Sequence, residues 1–147
     1  MEKRLEMTIE PRPKERPRAK VIKTKSGSYI AQIYTPSTTE DYEKKIRSEW
    51  IKACGEDVFT GPVVVRIHFR MPIPKSTTKA KRAEMLARKI RPTVKPDIDN
   101  LAKSVLDALN GVAYKDDSQI VTTLVKKYYA EIPGVKVIIS EWKEEEE

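Results

Sequence analysis

The chain reads as α+β: one domain built on a mixed β-sheet, with helices mainly on one of its sides. Three observations predict this. Stretches of period-two alternation stand at both ends of the chain and enclose stretches of helical period. The 147 residues match one ordinary domain, long enough to bury a core without disulfides or structural metal. No internal repeat divides the sequence. A hydrophobic fraction of 39% beside 35% charged residues describes a globular body with a heavily charged surface. No apolar run approaches the roughly eighteen residues of a membrane span, and Met1 to Arg4 lead into no signal-peptide core. Cys54 stands alone, which excludes an internal disulfide and a Cys/His zinc site. The expectation is a cytoplasmic protein with no membrane partner, its domain covering residues 1–143 and Glu144 to Glu147 forming a disordered acidic tail.

Leu5 to Glu10 alternates as a strand, with Leu5, Met7 and Ile9 on one side. Pro11, Pro13 and Pro17 then exclude a helix interior or a central strand, so residues 11–18 form a stiff extended loop carrying cations. Val21 to Lys23 and Ser28 to Tyr34 suit a hairpin across Lys25-Ser26-Gly27. Thr38 or Thr39 can cap a helix that runs to about Cys54 and ends at Gly55, with Tyr42, Ile46, Trp50 and Ala53 as its apolar stripe. Val63 to Met71 has a clear period of two: Val63, Val65, Ile67, Phe69 and Met71 face one way, Val64, Arg66, His68 and Arg70 the other. Lys75 to Ile90 suits a basic helix with a modest stripe (Ala83, Leu86, Ala87, Ile90), or else a mobile segment that orders on a partner. Ile98 to Asn110 is a better helix, buried through Leu101, Val105, Ala108 and Leu109 and stopped at Gly111. Two strands, Gln119 to Ala130 and Val135 to Trp142, meet at Pro133-Gly134.

The charge is concentrated. Lysine and arginine exceed the acids by 7, and by 11 once the four terminal glutamates are set aside. From Arg66 to Lys95 ten cations face Glu84 alone, and from Arg12 to Lys25 seven face Glu15 alone. Such clustering suits a polyanion, because every phosphate neutralised releases condensed counterions. Lys14, Arg16 and Arg18 on the loop, Arg66, His68 and Arg70 on the strand, and Lys75, Lys79 and Lys95 beyond it are the candidate nucleic-acid contacts.

The acids gather in two places. Lys95-Pro96-Asp97-Ile98-Asp99-Asn100-Leu101-Ala102-Lys103 sets two carboxylates at a helix start, and Tyr114-Lys115-Asp116-Asp117-Ser118-Gln119-Ile120 sets two more before a strand. Neighbouring like charges repel unless a hard divalent cation compensates them through oxygen ligands. Asp97, Asp99, Asp116 and Asp117 are therefore candidate metal ligands, for Mg²⁺-dependent phosphodiester chemistry. The same residues also suit plainer roles: Asp97 a cap, Asp99 a first-turn acid paired with Lys103, Asp116-Asp117-Ser118 a turn.

These segments resemble the RusA family of Holliday-junction resolvases. The pattern Lys-Pro-Asp-x-Asp-Asn-Leu-x-Lys (Lys95 to Lys103), then Asp107-Ala108-Leu109-Asn110-Gly111, then Asp116-Asp117-Ser118-Gln119-Ile120 carries the likeness, which extends more loosely through Lys14-x-Arg16-Pro17-Arg18 and the final strands. The resemblance implies a homodimeric bacterial or prophage endonuclease that cuts four-way or branched DNA symmetrically in recombination and repair. It implies Mg²⁺, with Mn²⁺ able to substitute, no organic cofactor, and action on nucleoid DNA. By motif, Asp97, Asp99 and Asp117 would be catalytic acids, Asp116 a supporting acid and Lys103 a contact to the scissile phosphate. Asp107 would pair with Lys103. Two other classes remain open: a junction-binding protein that does not cut, and an RNA-binding or RNA-cutting protein, which would display exposed aromatics for base stacking.

Overall fold

The computed structural model of the chain describes residues 1–144; Glu145 to Glu147, three of the four tail acids, lie outside the described residues. Four strands form the main sheet: β1 (Glu2–Met7), β4 (Val63–Pro72), β5 (Ile120–Ala130) and β6 (Gly134–Glu141), in the order β1-β6-β4-β5. β6 runs antiparallel to both neighbours, while β4 and β5 are parallel, so the sheet is mixed as the sequence predicts. A parallel pair needs a long crossover, and here that crossover carries α2 (Lys79–Leu86) and α3 (Ile98–Leu109).

The alternation in β4 decides which face is buried. Val63, Val65, Ile67 and Phe69 are wholly buried, and with Val135, Val137 and Ile139 of β6 they meet α1 (Ser37–Cys54) and α3 in one core. Trp50 and Ile46 from α1 and Leu101, Val105 and Leu109 from α3 are also fully buried. Removing the Trp50 side chain would cost about 3–5 kcal/mol, since an indole-sized cavity cannot collapse completely. Arg66, His68 and Arg70 point to the other, open face.

Gly134 is required at the β6 start. Arg70 donates to Glu6 Oε1 (2.9 Å) and to the carbonyl of Met7 (3.4 Å) by crossing over this glycine, and an added Cβ would lie 2.6 Å from the Met7 oxygen.

Four expectations shift. β1 begins three residues earlier than its alternation suggests, because β6 starts at Gly134 and the pairing ends at Met7↔Val135; Ile9 packs on the core from the loop instead. In α1, Ala53 is exposed and Cys54 takes its place against the core. The Lys75–Ile90 helix is only Lys79–Leu86, capped by the Thr78 hydroxyl accepting from Lys81 N and stopped where Arg88 adopts φ 63. Its single buried residue is Met85, while Ala83, Leu86 and Ala87 are exposed; of the expected stripe only Ile90 packs on the core, from beyond the helix end. Finally, the hairpin of β2 (Arg18–Lys23) and β3 (Tyr29–Tyr34) stands apart as a separate two-stranded sheet.

Candidate active site

Helix α3 organises the acids. Its apolar positions bury one side, which leaves Asp99 and Lys103 on the outer ridge, both exposed. Asp97 is the N-cap, in extended backbone, and its carbonyl accepts from Leu101 N at 3.1 Å. Its carboxylate makes no cap hydrogen bond, and among the described residues neither Asp97 nor Asp99 joins a side-chain hydrogen bond or ion pair. The segment leading in is held by Lys127 of β5, whose ammonium donates to the carbonyls of Val94 and Pro96 at 3.0 Å each. Lys127 shares the core-side register of Val125 and Tyr129, and its alternation gave no sign of that duty.

The Pro11–Arg18 loop lies against the same helix. Lys14 N donates to the Asn100 carbonyl at 3.0 Å, and the Lys14 ammonium sits 2.5 Å from Glu43 Oε1 of α1 and 3.3 Å from Asp107 Oδ2. The same Asp107 oxygen lies 3.6 Å from Lys103. Partial burial disfavours the Lys14 charge, but Glu43 and Asp107 outweigh it and raise its pKa. Lys14 is thus engaged as a brace, and Glu43, which the sequence did not single out, is its counterion. Between loop and helix runs an open cleft of about 500 Å³ that includes Arg12, Lys14, Lys95, Asp97 and Asn100.

The second acid pair occupies the other end. The chain turns after Leu109, where Gly111 N donates to the Tyr114 carbonyl, and Tyr114 Oη reaches back to the Leu106 carbonyl at 2.6 Å. Burial first, then Asp117, Asp107 and Asp116, push that phenol's pKa upward. Asp116 caps the short 3₁₀ turn Asp117–Gln119: it accepts from Ser118 N at 3.1 Å, while Gln119 Oε1 receives the N–H groups of Lys115 and Asp116. Bonding to the Ser118 side chain and backbone lowers the Asp116 pKa. The Gln119 amide donates to the Phe59 and Gly61 carbonyls at 2.9 Å each, fixing the turn to the β4 approach. Asp117 is exposed and accepts no side-chain hydrogen bond among the described residues.

The two pairs are therefore not gathered within the chain. Twelve residues of helix span about 18 Å, with Asp97 and Asp99 at one end and the Asp116–Asp117 turn beyond the other. Among the described residues, no group of three or more acids, histidines or cysteines converges as a metal cage. Asp97 and Asp99 alone still suit Mg²⁺, which commonly takes one or two carboxylates and fills its shell with water and substrate oxygens.

The candidate DNA contacts divide in the same way. Arg16, Lys75, Lys79 and Lys95 are exposed, and Arg18 is exposed with Glu15 Oε2 at 3.3 Å. Arg66, His68 and Arg70 lie across the sheet from α3. Arg70 is occupied by Glu6, and His68 is flanked in register by Lys126 and Lys136. Burial, then Lys126, Lys136, Arg88 and Arg70, lower the His68 pKa. No helix among the described residues is long and apolar enough to cross a membrane.

The family model described as Endodeoxyribonuclease RusA matches residues 8–140. A protein of Bacillus subtilis (strain 168), named as the uncharacterized protein YqaN, is 48% identical over 88 residues, which cover 58% of this chain and 62% of that protein.

Proposed function

This chain belongs to the RusA endodeoxyribonuclease family, and from that we infer a divalent-metal-dependent endonuclease that resolves four-way DNA junctions as a homodimer. The observation that carries the reading is the pair of unbonded carboxylates, Asp97 and Asp99, at the α3 start beside a cationic cleft. In any other setting, bare acids in a strongly basic chain would weaken phosphate binding; a metal between them and the phosphate reverses the sign.

Asp97 and Asp99 would hold Mg²⁺, or Mn²⁺ in its place. The ion, when bound, supplies Lewis-acid stabilisation of charge on the phosphoryl oxygens and lowers the pKa of water. Lys103, four residues after Asp99 and on the same ridge, directs its ammonium toward the scissile phosphate, and Asp107 limits where it can swing. Arg12 and Lys95 in the cleft, with Arg16, Lys75 and Lys79 beyond, hold flanking phosphates and fix the strand. The oxygen of water bonds to phosphorus as the bond to O3′ breaks, leaving a 5′-phosphate and a 3′-hydroxyl.

Asp117 enters this scheme through the dimer. A two-fold axis can set the two ends of neighbouring α3 helices side by side, which brings Asp117 of one copy to the Asp97 and Asp99 of the other; Asp116 supports it by holding the turn. Two such sites cut opposed strands of a junction in pairs. The chain would act in the bacterial cytoplasm on nucleoid or prophage DNA.

The test is cleavage of a labelled mobile four-way junction, beside duplex and single-stranded controls, with Mg²⁺ or EDTA. Symmetric Mg²⁺-dependent nicks near the crossover that vanish in Asp99→Asn are expected. Tight junction binding with no cutting under any divalent metal would replace this reading with a non-cutting junction binder, the alternative favoured by the absence of a converged acid cluster among the described residues.

A further inference from the structure

The β2–β3 hairpin has no strand pairing with the main sheet, and its strands have no substantial contact with another element among the described residues. Eleven of its twelve strand residues are exposed, Ile22 being the exception. A hairpin of two strands is at best marginally stable alone in water, so a projecting one needs an occupant for its surface.

Its residues say which. Register places Ala19 opposite Ile33, Val21 opposite Ala31 and Lys23 opposite Tyr29, all on one face. Val21, Tyr29 and Ile33 on that face are 72%, 69% and 76% exposed, too large a group of apolar side chains to leave in water without a partner. The opposite face pairs Arg18 with Tyr34, Lys20 with Gln32 and Ile22 with the exposed Ile30, and the Lys20 ammonium lies 5.4 Å from the Tyr34 ring centroid. Around the turn stand Lys23 and Lys25, with the Thr24 and Ser26 hydroxyls 2.9 Å apart. From Arg16 to Thr39 there is no carboxylate in the sequence.

A partner for this ribbon must be both anionic and locally apolar. A second copy of the chain is not anionic: its formal charge is +7, and two arms of four cations each would repel. Continuous duplex is anionic but keeps its base faces stacked away from contact. Branched DNA offers both, because stacking is interrupted at the exchange point, where exposed base faces lie between converging phosphates. Aromatic and aliphatic side chains bind such faces by stacking and wedging.

We propose that the β2–β3 hairpin is a DNA-reading arm that enters the branch point, its apolar and tyrosine face against unstacked bases and Lys20, Lys23 and Lys25 on the flanking phosphates. The inference rests on the junction reading above and names the element that recognises the branch, on residues separate from the acids.

Two triple variants test it, Lys20→Gln/Lys23→Gln/Lys25→Gln and Val21→Ser/Tyr29→Ser/Ile33→Ser. Each is titrated against a four-way junction and a linear duplex over a range of salt, with its mass read by sedimentation and its fold by thermal melting. The lysine variant is expected to bind both DNAs more weakly, its log–log salt slope shallower by about 2–3, near 0.9 per lost phosphate contact. The apolar variant is expected to keep the parental slope, mass and melting midpoint but to lose about tenfold or more of the preference for junction over duplex. Parental behaviour of both variants would overturn the arm, and so would a halved mass in the apolar variant, which would make a second copy the occupant. A parent chain that binds neither DNA would remove the junction reading and the arm with it; a parent that prefers the junction, matched by both variants, would remove the arm alone.

Discussion

The two ends of α3 carry the same chemistry, a pair of aspartates beside a lysine or two, and use it in opposite ways. At the N-terminal end, Asp97 and Asp99 make no side-chain bond that the helix needs. At the C-terminal end, Asp116 is consumed in a capping box with Gln119, and that turn is tied to Phe59 and Gly61. Paired acids are thus a free oxygen surface in one place, while in the other Asp116 is part of the fold and Asp117 alone stays exposed. The difference teaches that exposure alone does not mark a metal ligand; what matters is whether the carboxylate already has a donor.

The largest expected effect follows from the free end. Asp97→Asn or Asp99→Asn should slow junction cutting by on the order of 100-fold or more, the loss of a few kcal/mol of charge stabilisation, with no change in melting midpoint. A midpoint that fell along with the rate would mean that these acids serve the fold after all. Mixing the two ends sharpens the contrast further. Asp99→Asn protein and Asp117→Asn protein, each inactive, should give nicks on one strand when co-refolded, because a shared-site heterodimer contains one site with every acid intact. If the mixture stays inactive while heterodimers form, the four acids do not act across the two-fold.

A smaller effect is expected from the structural end. Gln119→Ala removes amide bonds to two carbonyls and the acceptor for two N–H groups, and urea unfolding should show a loss of about 1–3 kcal/mol. Cutting per folded molecule should change less than in Asp99→Asn; an equal loss of rate would place the turn inside the chemistry. The smallest effect concerns the far side of the sheet. The His68 pKa lies below its usual value of about 6.5, so in the free protein the neutral form is favoured and stability is lost as pH falls from there through the folded pKa. Phosphates at this face would favour the charged form, so junction affinity should gain up to about threefold between pH 7.5 and 6 beyond that of His68→Gln. Identical pH profiles would show that DNA does not lie on this face.

Much of the fold was legible because each main element writes its burial into a period. The alternation of Val63 to Met71, broken only at Val64, and the Leu101, Val105, Ala108, Leu109 stripe identify the core faces of β4 and α3 correctly. Where the stripe was poor, reading failed: α2 buries Met85 while Ala83 and Leu86, both inside the helix, stay exposed, and Ile90 reaches the core only from beyond the helix end. The motif around Asp97 to Lys103 was readable as a motif, but its distance from Asp117 was not, since chain proximity hides a full helix between them. Nor could composition show that Lys14 is already paired. Its partners, Glu43 and Asp107, come from two other helices and reach it only through the packing of α1 on α3.

That brace has an entropic consequence. A proline-rich cationic loop free in solution would lose its conformational freedom on meeting DNA and so weaken the complex. With Lys14 held by two carboxylates and its N–H bonded to Asn100, the backbone beneath Arg12 and Arg16 is ordered while folding, before any substrate arrives. The guanidinium groups are then presented at fixed intervals, and the loop behaves less like a tether than like a machined edge.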